Sequence, residues 1–403
     1  MRCRLGDVVV NHDARRVPVR ESNRKPGPYP YYGASGVVDY VDSFIFEGLH
    51  LLIAEDGENL RTRQTPIAFL ADGKFWVNNH AHIVTGKSGV ADTRFLSYIL
   101  SATDVSGYLT GSAMPKLSQK AMNAIEIDLP PLEDQLAIVI VLGSLDDKIE
   151  HNRRMSRALE GLARAMFKAW FVDFEPVHAK AAGATSFPGM PPEAFAALPT
   201  RFTDSELGEV PKGWGIGRLG DCCGINLRSV RKGEIAGRIE YVDISSVTVG
   251  RLDGVHRMLF SEAPSRARRR IAHGDTIWSC VRPNHRSYLF IHSPPEDRIV
   301  STGFAVLSPG AFGPSYLHEV TTQQEFVDYL VANADGSAYP AVRPDHFAAA
   351  RVLVPPHPLR QAFESLTIPC RDLRASLDEE SRKLAELRDY LLPKLISAEV
   401  RIQ

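Results

Sequence analysis

Cysteine is scarce in this 403-residue sequence: five are scattered along the chain, and no C-x-x-C pair occurs. This excludes a disulfide-stapled scaffold and a zinc ribbon, so we expect reduced thiols in a cytoplasmic protein. Long hydrophobic runs are missing too, since no stretch reaches about 18 uncharged apolar residues. The N-terminal MRCRLGD is charged and has no apolar signal core. The sequence therefore predicts neither a membrane protein nor a secreted one.

Charge of one sign is not in excess, because 47 Lys and Arg residues stand against 48 Asp and Glu residues. The overall charge therefore does not indicate a nucleic-acid partner. Hydrophobic residues make up 44% of the chain and charged residues 24%, which excludes wholesale disorder. At roughly 100–200 residues per domain, the length predicts two to four domains.

The chain repeats itself. RLGD begins at Arg4 and again at Arg218, and GSAMPKLSQKAMNAIEIDLPP from Gly111 matches GSAYPAVRPDHFAAARVLVPP from Gly336. Several matches in one order indicate a duplication. Within the copies, SFIFEGLHLLIA and DTIWSCV predict strands, whereas FLSYILSATDV and EFVDYLVANAD predict short helices. Each copy is therefore predicted to be α+β.

A long helical stretch follows each copy. After Pro131, apolar or small residues recur at alternating steps of four and three, with Asn152 and Ser156 in the same register; a similar pattern follows Pro356. This coiled-coil period favours two helices that pair with each other, while two amphipathic helices packed on their own domains are the alternative. The predicted helix-pairing seam consists of Leu142, Leu145, Ile149, Leu159, Met166, Leu373, Leu377, Leu384, Leu387 and Leu391.

These patterns predict an α+β fold in which two duplicated α+β domains are each followed by a long helix. The first domain is predicted at residues 1–131 and its helix at 132–173. The second domain is predicted at 214–356 and its helix at 357–403. Residues 174–213 are rich in Ala, Pro and Gly, and we expect them to form a linker that runs over the surface.

This organisation resembles the specificity (S) subunit of type I restriction-modification systems, and the resemblance covers nearly the whole chain. It is carried by YYGASGVVDYVDSFIFEG from Tyr31, VNNHAHIV from Val77, GSAMPKLSQ from Gly111, MFKAWFVDFEPV from Met166, DSELGEVPKGWGIGRLGD from Asp204 and LRDYLLPKLISAEV from Leu387.

The resemblance implies a non-catalytic subunit with two target-recognition domains, each reading one half of a split, asymmetric site in double-stranded DNA. It implies that the two helices pair as an antiparallel coiled coil and fix the gap between the half-sites. The implied protein partners are two methyltransferase (modification) subunits and two restriction (motor-nuclease) subunits. S-adenosylmethionine, ATP and Mg²⁺ are expected on those partners, with no cofactor, metal or membrane bound by this chain.

The residues themselves agree with a lack of catalysis. The sequence contains no Walker loop, no methyl-donor Gly-x-Gly loop between a strand and a helix, and no Asn/Asp-Pro-Pro-aromatic string. Asp72-Gly73-Lys74 has the carboxylate-x-lysine pattern of some nucleases, but Asp-Gly favours a hairpin turn. His80 and His82 alternate on one face of a predicted strand, where a structural or DNA-facing role is favoured over a metal site.

Candidate DNA contacts follow from residue type and predicted loop position. From Gly215 to Pro356, 15 of the 16 basic residues are Arg, whose planar fork matches guanine O6 and N7, although a GC-rich coding sequence would also favour Arg. The segment CVRPNHRSY is the leading candidate because it follows an apolar strand and occupies the place of GENLRTRQ in the first copy. The candidates are Arg15, Arg16, Arg24, Lys25, Arg61, Arg63, Gln64, Arg228, Arg231, Arg282, Asn284, His285 and Arg286.

Two other functions remain open at this stage. One is a self-contained DNA methyltransferase or nuclease with a fused recognition half, against which the missing cofactor loops argue. The other is a protein scaffold that does not bind DNA.

Overall fold

A computed structural model describes residues 1–63, 65–231, 233–336, 339–397 and 399–400. Its contacts divide the chain into two units. Unit 1 comprises Met1–Asn152 together with Glu379–Gln403, and unit 2 comprises Arg153–Asp378. Both unit boundaries fall inside long helices, so each unit holds one copy of the repeat and a part of both helices.

The first copy is built from short strands and helices that precede the first long helix. Its strands are β1 (Arg2–Arg4), β2 (Val9–Asn11), β3 (Pro26–Gly33), β4 (Gly36–Val41), β5 (Phe46–Glu47), β6 (His50–Ala54), β7 (Ala68–Ala71), β8 (Lys74–Val77), β9 (Ala81–Gly86) and β10 (Glu126–Asp128). Its helices are α1 (Leu5–Val8), α2 (Asn59–Thr62), α3 (Thr93–Ala102) and α4 (Gln119–Ala124), and the long helix α5 (Leu132–Phe171) follows.

The remaining elements belong to the second copy and to the segment before it. That segment contains α6 (Glu175–Ala181), α7 (Pro192–Ala196), β11 (Phe202–Ser205) and β12 (Gly208–Pro211). The second copy has strands β13 (Gly215–Arg218), β14 (Cys223–Ile225), β15 (Arg238–Val242), β16 (Val247–Thr248), β17 (Arg251–Leu252), β18 (His256–Leu259), β19 (Ala267–Arg270), β20 (Thr276–Ser279), β21 (Tyr288–Phe290), β22 (Arg298–Ser301), β23 (Phe304–Pro309) and β24 (Arg351–Val354). Its helices are α8 (Leu219–Cys222), α9 (Pro314–Thr322), α10 (Gln324–Ala332) and α11 (Pro344–Ala349), before the long helix α12 (His357–Ile396).

The sheets confirm the duplication. The order β2-β9-β6-β7 in the first copy corresponds to β14-β23-β20-β21 in the second, and β4-β3-β8-β5 corresponds to β18-β15-β22-β19. Even the mixed character is repeated, since β3 pairs with β8 in parallel and β15 pairs with β22 in parallel. The first strand of each copy pairs with its last, β1 with β10 and β13 with β24. The predicted fold of two α+β copies, each followed by a long helix, is therefore confirmed.

The central strand of the first copy is buried on both faces, so its sequence LLIA is apolar throughout rather than alternating. The predicted short helices are also present, as α3 and α10. Helix α3 begins after Asp92, whose carboxylate accepts hydrogen bonds from the backbone N–H groups of Arg94 and Phe95 at 2.8 and 2.9 Å. This cap satisfies donors that a helix start otherwise leaves unpaired.

Within unit 1, the beginning of α5 packs along the end of α12. The Arg388 guanidinium donates to Asp146 Oδ1 at 2.8 Å, and Asn152 Nδ2 donates to Glu380 Oε2 at 2.7 Å. Within unit 2, Ser156 Oγ donates to Asp378 Oδ1 at 3.0 Å. Arg374 Nη1 also lies 3.4 Å from Glu160 Oε2 within unit 2. In each unit the residue number on α12 falls as the number on α5 rises, so the helices pair in antiparallel fashion, in contrast to the alternative that each packs only on its own domain.

The seam predicted for α5 matches the buried face of that helix. Leu142 and Ile149 are buried, and Leu145, Leu159 and Met166 are half-buried. Asn152 and Ser156 are buried in the same register and supply the polar contacts to α12.

The seam predicted for α12 is only partly the packed face. Leu377, Leu384 and Leu391 are half-buried, whereas Leu373 and Leu387 are exposed. The buried positions at the start of α12 follow steps of four, at Leu359, Phe363, Thr367 and Arg371. Two of these buried residues are polar, and their spacing of four differs from the apolar 3.5-residue period of a coiled coil. That period therefore placed the exposed Leu373 and Leu387 on the packed face.

The segment 174–213, predicted as a surface linker, is folded instead. Val177, Phe195 and Leu198 are buried in the core of unit 2, as is Trp214 directly after the segment. The Lys180 ammonium donates to the carbonyl oxygens of residues 195, 196 and 198, which ties α6 to the end of α7. The many Ala and Pro residues concealed this packing because they carry no helical or strand period.

All five cysteines have free thiols. Burial raises the pKa of the Cys223 thiol to about 12 and that of Cys280 to about 11, so these two side chains behave as small apolar groups. Among the residues that the structure describes, no helix is long and apolar enough to span a membrane.

Candidate nucleic-acid interface

Two neighbouring loops of the first copy form one continuous surface. The first is α2 with its flanking residues, and the second is the Gly-Ser-Ala loop that begins at Gly111. Lys116 pairs with both Asp56 and Thr110 through isolated β-bridges, and this joins the two loops. Arg61 Nη2 donates to the carbonyl oxygens of Gly111 at 2.7 Å and Ser112 at 3.2 Å. The Arg61 guanidinium therefore holds the second loop against the first.

The second copy repeats this frame with other side chains. Ala341 forms isolated β-bridges with Val281 and Asp335, and each of these three residues lies 225 positions after its counterpart in the first copy. The Arg282 guanidinium lies over the Tyr339 ring, 4.9 Å from its centroid. The Arg282 backbone N–H donates to the Pro340 carbonyl oxygen at 2.7 Å. As expected, CVRPNHR occupies the place of GENLRTRQ.

Both loops contain arginines in the left-handed backbone region. Arg282 has φ 50° and Arg286 φ 54°, on either side of a short 3₁₀ turn, and Arg63 has φ 49° at the end of α2. This conformation is uncommon for a long side chain and clusters at functional sites. The Arg286 guanidinium donates to Gln324 Oε1, and Arg63 Nη2 donates to the Leu100 carbonyl oxygen at 3.1 Å.

The arginines of the segment after β2 divide into internal and exposed ones. Arg16 is half-buried and donates to Glu55 at 2.7 Å and to the Ala81 carbonyl oxygen at 2.9 Å. Arg24 forms an ion pair with Asp39 at 3.1 Å. These contacts fix the domain and leave little of either guanidinium for DNA.

Arg15 and Lys25 are exposed in the same segment. The Arg15 guanidinium donates to the Ile45 carbonyl oxygen at 2.8 Å and lies 4.7 Å from the centroid of the Phe46 ring. In the second copy, Arg228 forms an ion pair with the buried Asp275 at 2.7 Å.

The candidates therefore differ in accessibility. Arg15, Lys25, Arg61, Arg228, Arg231, Asn284 and His285 are exposed. Arg16, Arg24, Arg63, Arg282 and Arg286 are half-buried. Gln64 lies outside the described residues.

Sequence reasoning missed two kinds of accessible residue on these loops. Lys116 and Arg343 are exposed cations beside the Gly-Ser-Ala loops, and Met114 and Tyr339 are exposed apolar residues within them. The repeated Gly-Ser-Ala-x-Pro frame was the available signal, because it marks a backbone shape that both copies retain.

His82 is a buried structural residue. Its Nδ1 lies 2.6 Å from Asp13 Oδ2 and its Nε2 lies 2.8 Å from the Leu117 carbonyl oxygen, so both ring nitrogens face acceptors. Burial opposes a charge here, but the Asp13 carboxylate and the carbonyl outweigh it and raise the pKa of His82. Asp13 also lies 3.6 Å from the Arg16 guanidinium. Because protein acceptors occupy both ring nitrogens, His82 serves as a structural residue rather than a metal ligand.

His80 is exposed and its Nδ1 lies 2.8 Å from Asp56 Oδ2. The Asp72-Gly73-Lys74 segment is a tight turn in which Gly73 has φ +78°. It is not a simple hairpin, because β7 pairs with β6 whereas β8 pairs with β3 and β5. The turn passes the chain from one sheet to the next.

Comparisons with known proteins give the class. Residues 1–160 match the family described as the type I restriction modification DNA specificity domain. The chain is 26% identical over 371 residues to the type I restriction enzyme MjaIX specificity subunit of Methanocaldococcus jannaschii, covering 88% of this chain and 80% of that one. It is 23% identical over 380 residues to the HindI specificity subunit of Haemophilus influenzae, covering 79% and 80%.

The fold agrees with these matches. The crystal structure of a type I restriction-modification system S subunit from M. genitalium aligns with a TM-score of 0.61 at 14% identity, covering 98% of this chain and 95% of that one. Fold and matched domain together define a DNA-specificity protein. Over most of its length the chain is similar to the specificity subunits of type I restriction-modification systems, and its first 160 residues match their DNA specificity domain. These matches favour the predicted DNA-specificity subunit over a self-contained methyltransferase or nuclease and over a scaffold that does not bind DNA.

Proposed function

We propose that the chain reads a split, asymmetric site in double-stranded DNA, with one half-site contacted by each copy. The observation that carries this proposal is the repeated loop frame with divergent side chains. The same bridges connect the same two loops in both copies, but at the same offset of 225 Gly57 is replaced by Arg282, Leu60 by His285 and Met114 by Tyr339. Two equal frames with unequal contact residues fit two different half-sites.

Sequence reading is assigned to these loops because they combine accessible donors with a backbone that is held in place. Arginine, asparagine and histidine supply the donors and acceptors that distinguish base edges in the major groove. The exposed pair Asn284 and His285 on the 3₁₀ turn has this chemistry.

The charge of the two copies supports a shared DNA interface with partner subunits. From Met1 to Pro131 there are 14 basic and 14 acidic residues, and from Gly215 to Pro356 there are 16 and 14. Phosphate contacts dominate non-specific affinity for DNA, and a nearly neutral protein supplies few of them. Much of the phosphate binding is therefore expected from the partners.

We propose that two modification subunits dock on the paired helices and that two restriction subunits complete the complex. Apolar residues that face away from the helix pair support this. On α5, Ile140 is 72% exposed and Leu136, one turn earlier, is also exposed. On α12, Leu387 and Tyr390 are exposed. Such residues on a soluble helix are typical of a protein interface. S-adenosylmethionine, ATP and Mg²⁺ would be bound by those partners.

A domain exchange tests the split-site proposal. Residues 1–130 are replaced by the equivalent domain of another family member, and the methylated motif of the host genome is read by sequencing. We expect a change in one half-site, with the other half-site unchanged. The control is the same exchange of residues 214–355, which should change the other half-site. A change in both halves after either exchange would contradict independent reading.

A further inference from the structure

The described residues on either side of the Gly-Ser-Ala tip are alike in both copies, while residues 337–338 of the second tip lie outside the described residues. Gly111 has φ +86° and Gly336 φ +90°, a region that favours glycine. A Cβ at Gly111 would lie 2.2 Å from the Met114 carbonyl oxygen, and one at Gly336 would lie 3.3 Å from that of Tyr339. In each copy the carbonyl group three positions after the glycine therefore lies back against that glycine.

The residue that follows each tip is fixed to the neighbouring loop. The Pro115 carbonyl oxygen accepts from the Gly57 N–H at 3.2 Å, and the Pro340 carbonyl oxygen accepts from the Arg282 N–H at 2.7 Å. Proline itself restricts the backbone before and at its own position. The backbone directly after Met114 and Tyr339 is thus held, although both of these side chains are exposed to solvent.

That side chain is apolar in both copies. Met114 is 63% exposed and Tyr339 is 70% exposed, and their numbers differ by the same 225 as the bridges beside them. A loop whose flanking residues are held by backbone hydrogen bonds, and which exposes a large apolar group next to the candidate DNA contacts in both copies, has the construction of a binding contact. Apolar side chains contact thymine methyl groups or pack against bases when a protein reads DNA.

The nearest arginines brace these tips. Arg61 donates to the carbonyl oxygens of Gly111 and Ser112, and the Arg282 guanidinium lies over the Tyr339 ring. A guanidinium engaged in this way orients the loop and has fewer free donors for a base edge. In each copy an arginine therefore contacts the tip from inside the protein, whereas the large apolar side chain of the tip stays exposed.

We propose that Met114 and Tyr339 are specificity-determining contacts, each packing against bases of one half-site, and that Arg61 and Arg282 are positioning residues for them. This inference rests on the proposed reading of DNA by the two copies. It predicts that the two tips act independently, each on the half-site of its own domain.

The test uses the full chain in complex with its modification subunit, with duplex libraries randomised in one half-site at a time. Met114→Ala should lower the preference for one base pair of one half-site by about tenfold, the scale of a lost apolar base contact, and leave the other half-site unchanged. Tyr339→Ala should do the same for the other half-site. Met114→Leu and Tyr339→Phe keep an apolar group of similar size and should retain most of the preference.

Val90→Ala is the matched control for exposure. Val90 is an exposed aliphatic residue in the turn that follows the end of β9. The loop surface lies near the other end of this strand, where His80 contacts Asp56. We expect Val90→Ala to leave both half-sites unchanged. Arg282→Ala and Tyr339→Ala should be strongly non-additive in a double-mutant cycle, because a positioning residue acts through the group it orients.

The outcomes separate this inference from the proposed function. If the wild-type complex shows no sequence preference for duplex DNA, the proposed function fails. If the wild type is selective and both Ala variants keep its selectivity, the tips do not contact bases and the inference fails alone. A uniform loss of affinity over all sequences with a smaller salt dependence would mark phosphate contacts and would also overturn it.

Discussion

The buried ion pair between Arg371 of α12 and Glu319 of α9 gives a sharp prediction for the stability of unit 2. The two side chains are 9% and 3% exposed, and Arg371 Nη2 lies 2.8 Å from Glu319 Oε1. Arg371 Nε also donates to Ser315 Oγ at 3.0 Å, and the guanidinium lies 4.4 Å from the centroid of the Phe290 ring. Glu319→Ala leaves this guanidinium buried without the carboxylate that contacts it, with Glu364 as a remaining acidic neighbour.

Breaking a buried pair from one side costs about 3–5 kcal/mol, because the remaining charge is desolvated and uncompensated. Burial disfavours the charged form of both side chains, since it raises the pKa of Glu319 and lowers the pKa of Arg371. The double variant Arg371→Met with Glu319→Leu removes both charges. It should therefore be close to the wild type in stability, or more stable.

The loss of stability in the single variant and its recovery in the double variant are measured by urea unfolding of the full chain. Hydrogen exchange, read out in peptides from the segments α9 and α12, locates the change. We expect Glu319→Ala to lower the free energy of opening of these peptides by about 3–5 kcal/mol and the double variant to restore it. The reasoning is refuted if the single variant loses less than about 1 kcal/mol, the range of an exposed pair, or if the double variant is as unstable as the single one.

Two further predictions concern unit 1. Because Asp13 and the Leu117 carbonyl raise the pKa of His82, the stabilisation is fully present below the unfolded pKa of about 6.5 and is lost as pH rises through the folded pKa. His82→Gln should flatten this pH dependence in urea unfolding, and an unchanged slope would contradict it. Asn152→Leu with Glu380→Leu should raise the melting temperature while broadening the distribution of methylated gap lengths, because a buried polar residue in a helix seam, here Asn152 bonded to the half-buried Glu380, specifies helix register at a cost in stability. A single unchanged gap would show that this pair does not set the register.

The features that the sequence predicts well are those repeated in it. The Gly-Ser-Ala-x-Pro frame is a backbone requirement, with positive φ at Gly111 and Gly336, so it survives while side chains diverge. The α5 seam was readable because its buried polar members, Asn152 and Ser156, still fall on the apolar period.

The features that the sequence does not reveal depend on tertiary partners. Arg371 can be buried because Glu319 on another helix forms an ion pair with it, and no local sequence pattern predicts such a pair. For the same reason Arg16 and Arg24 were predicted as DNA contacts, although Glu55 and Asp39 engage them inside the domain. An arginine's role depends on what lies within reach of its long side chain, which only the fold decides.

The central claim, that two duplicated domains read two half-sites whose gap is set by the paired helices, is tested most directly by lengthening both helices. Each long helix has 40 residues, or about 60 Å at ~1.5 Å per residue. One added heptad in each, near Ser156 and near Glu380, keeps the packed face in register and adds roughly 10 Å, on the order of three base pairs. Methylome sequencing should show unchanged half-sites separated by a longer gap. An active complex that methylates the original motif with its original gap would contradict the account.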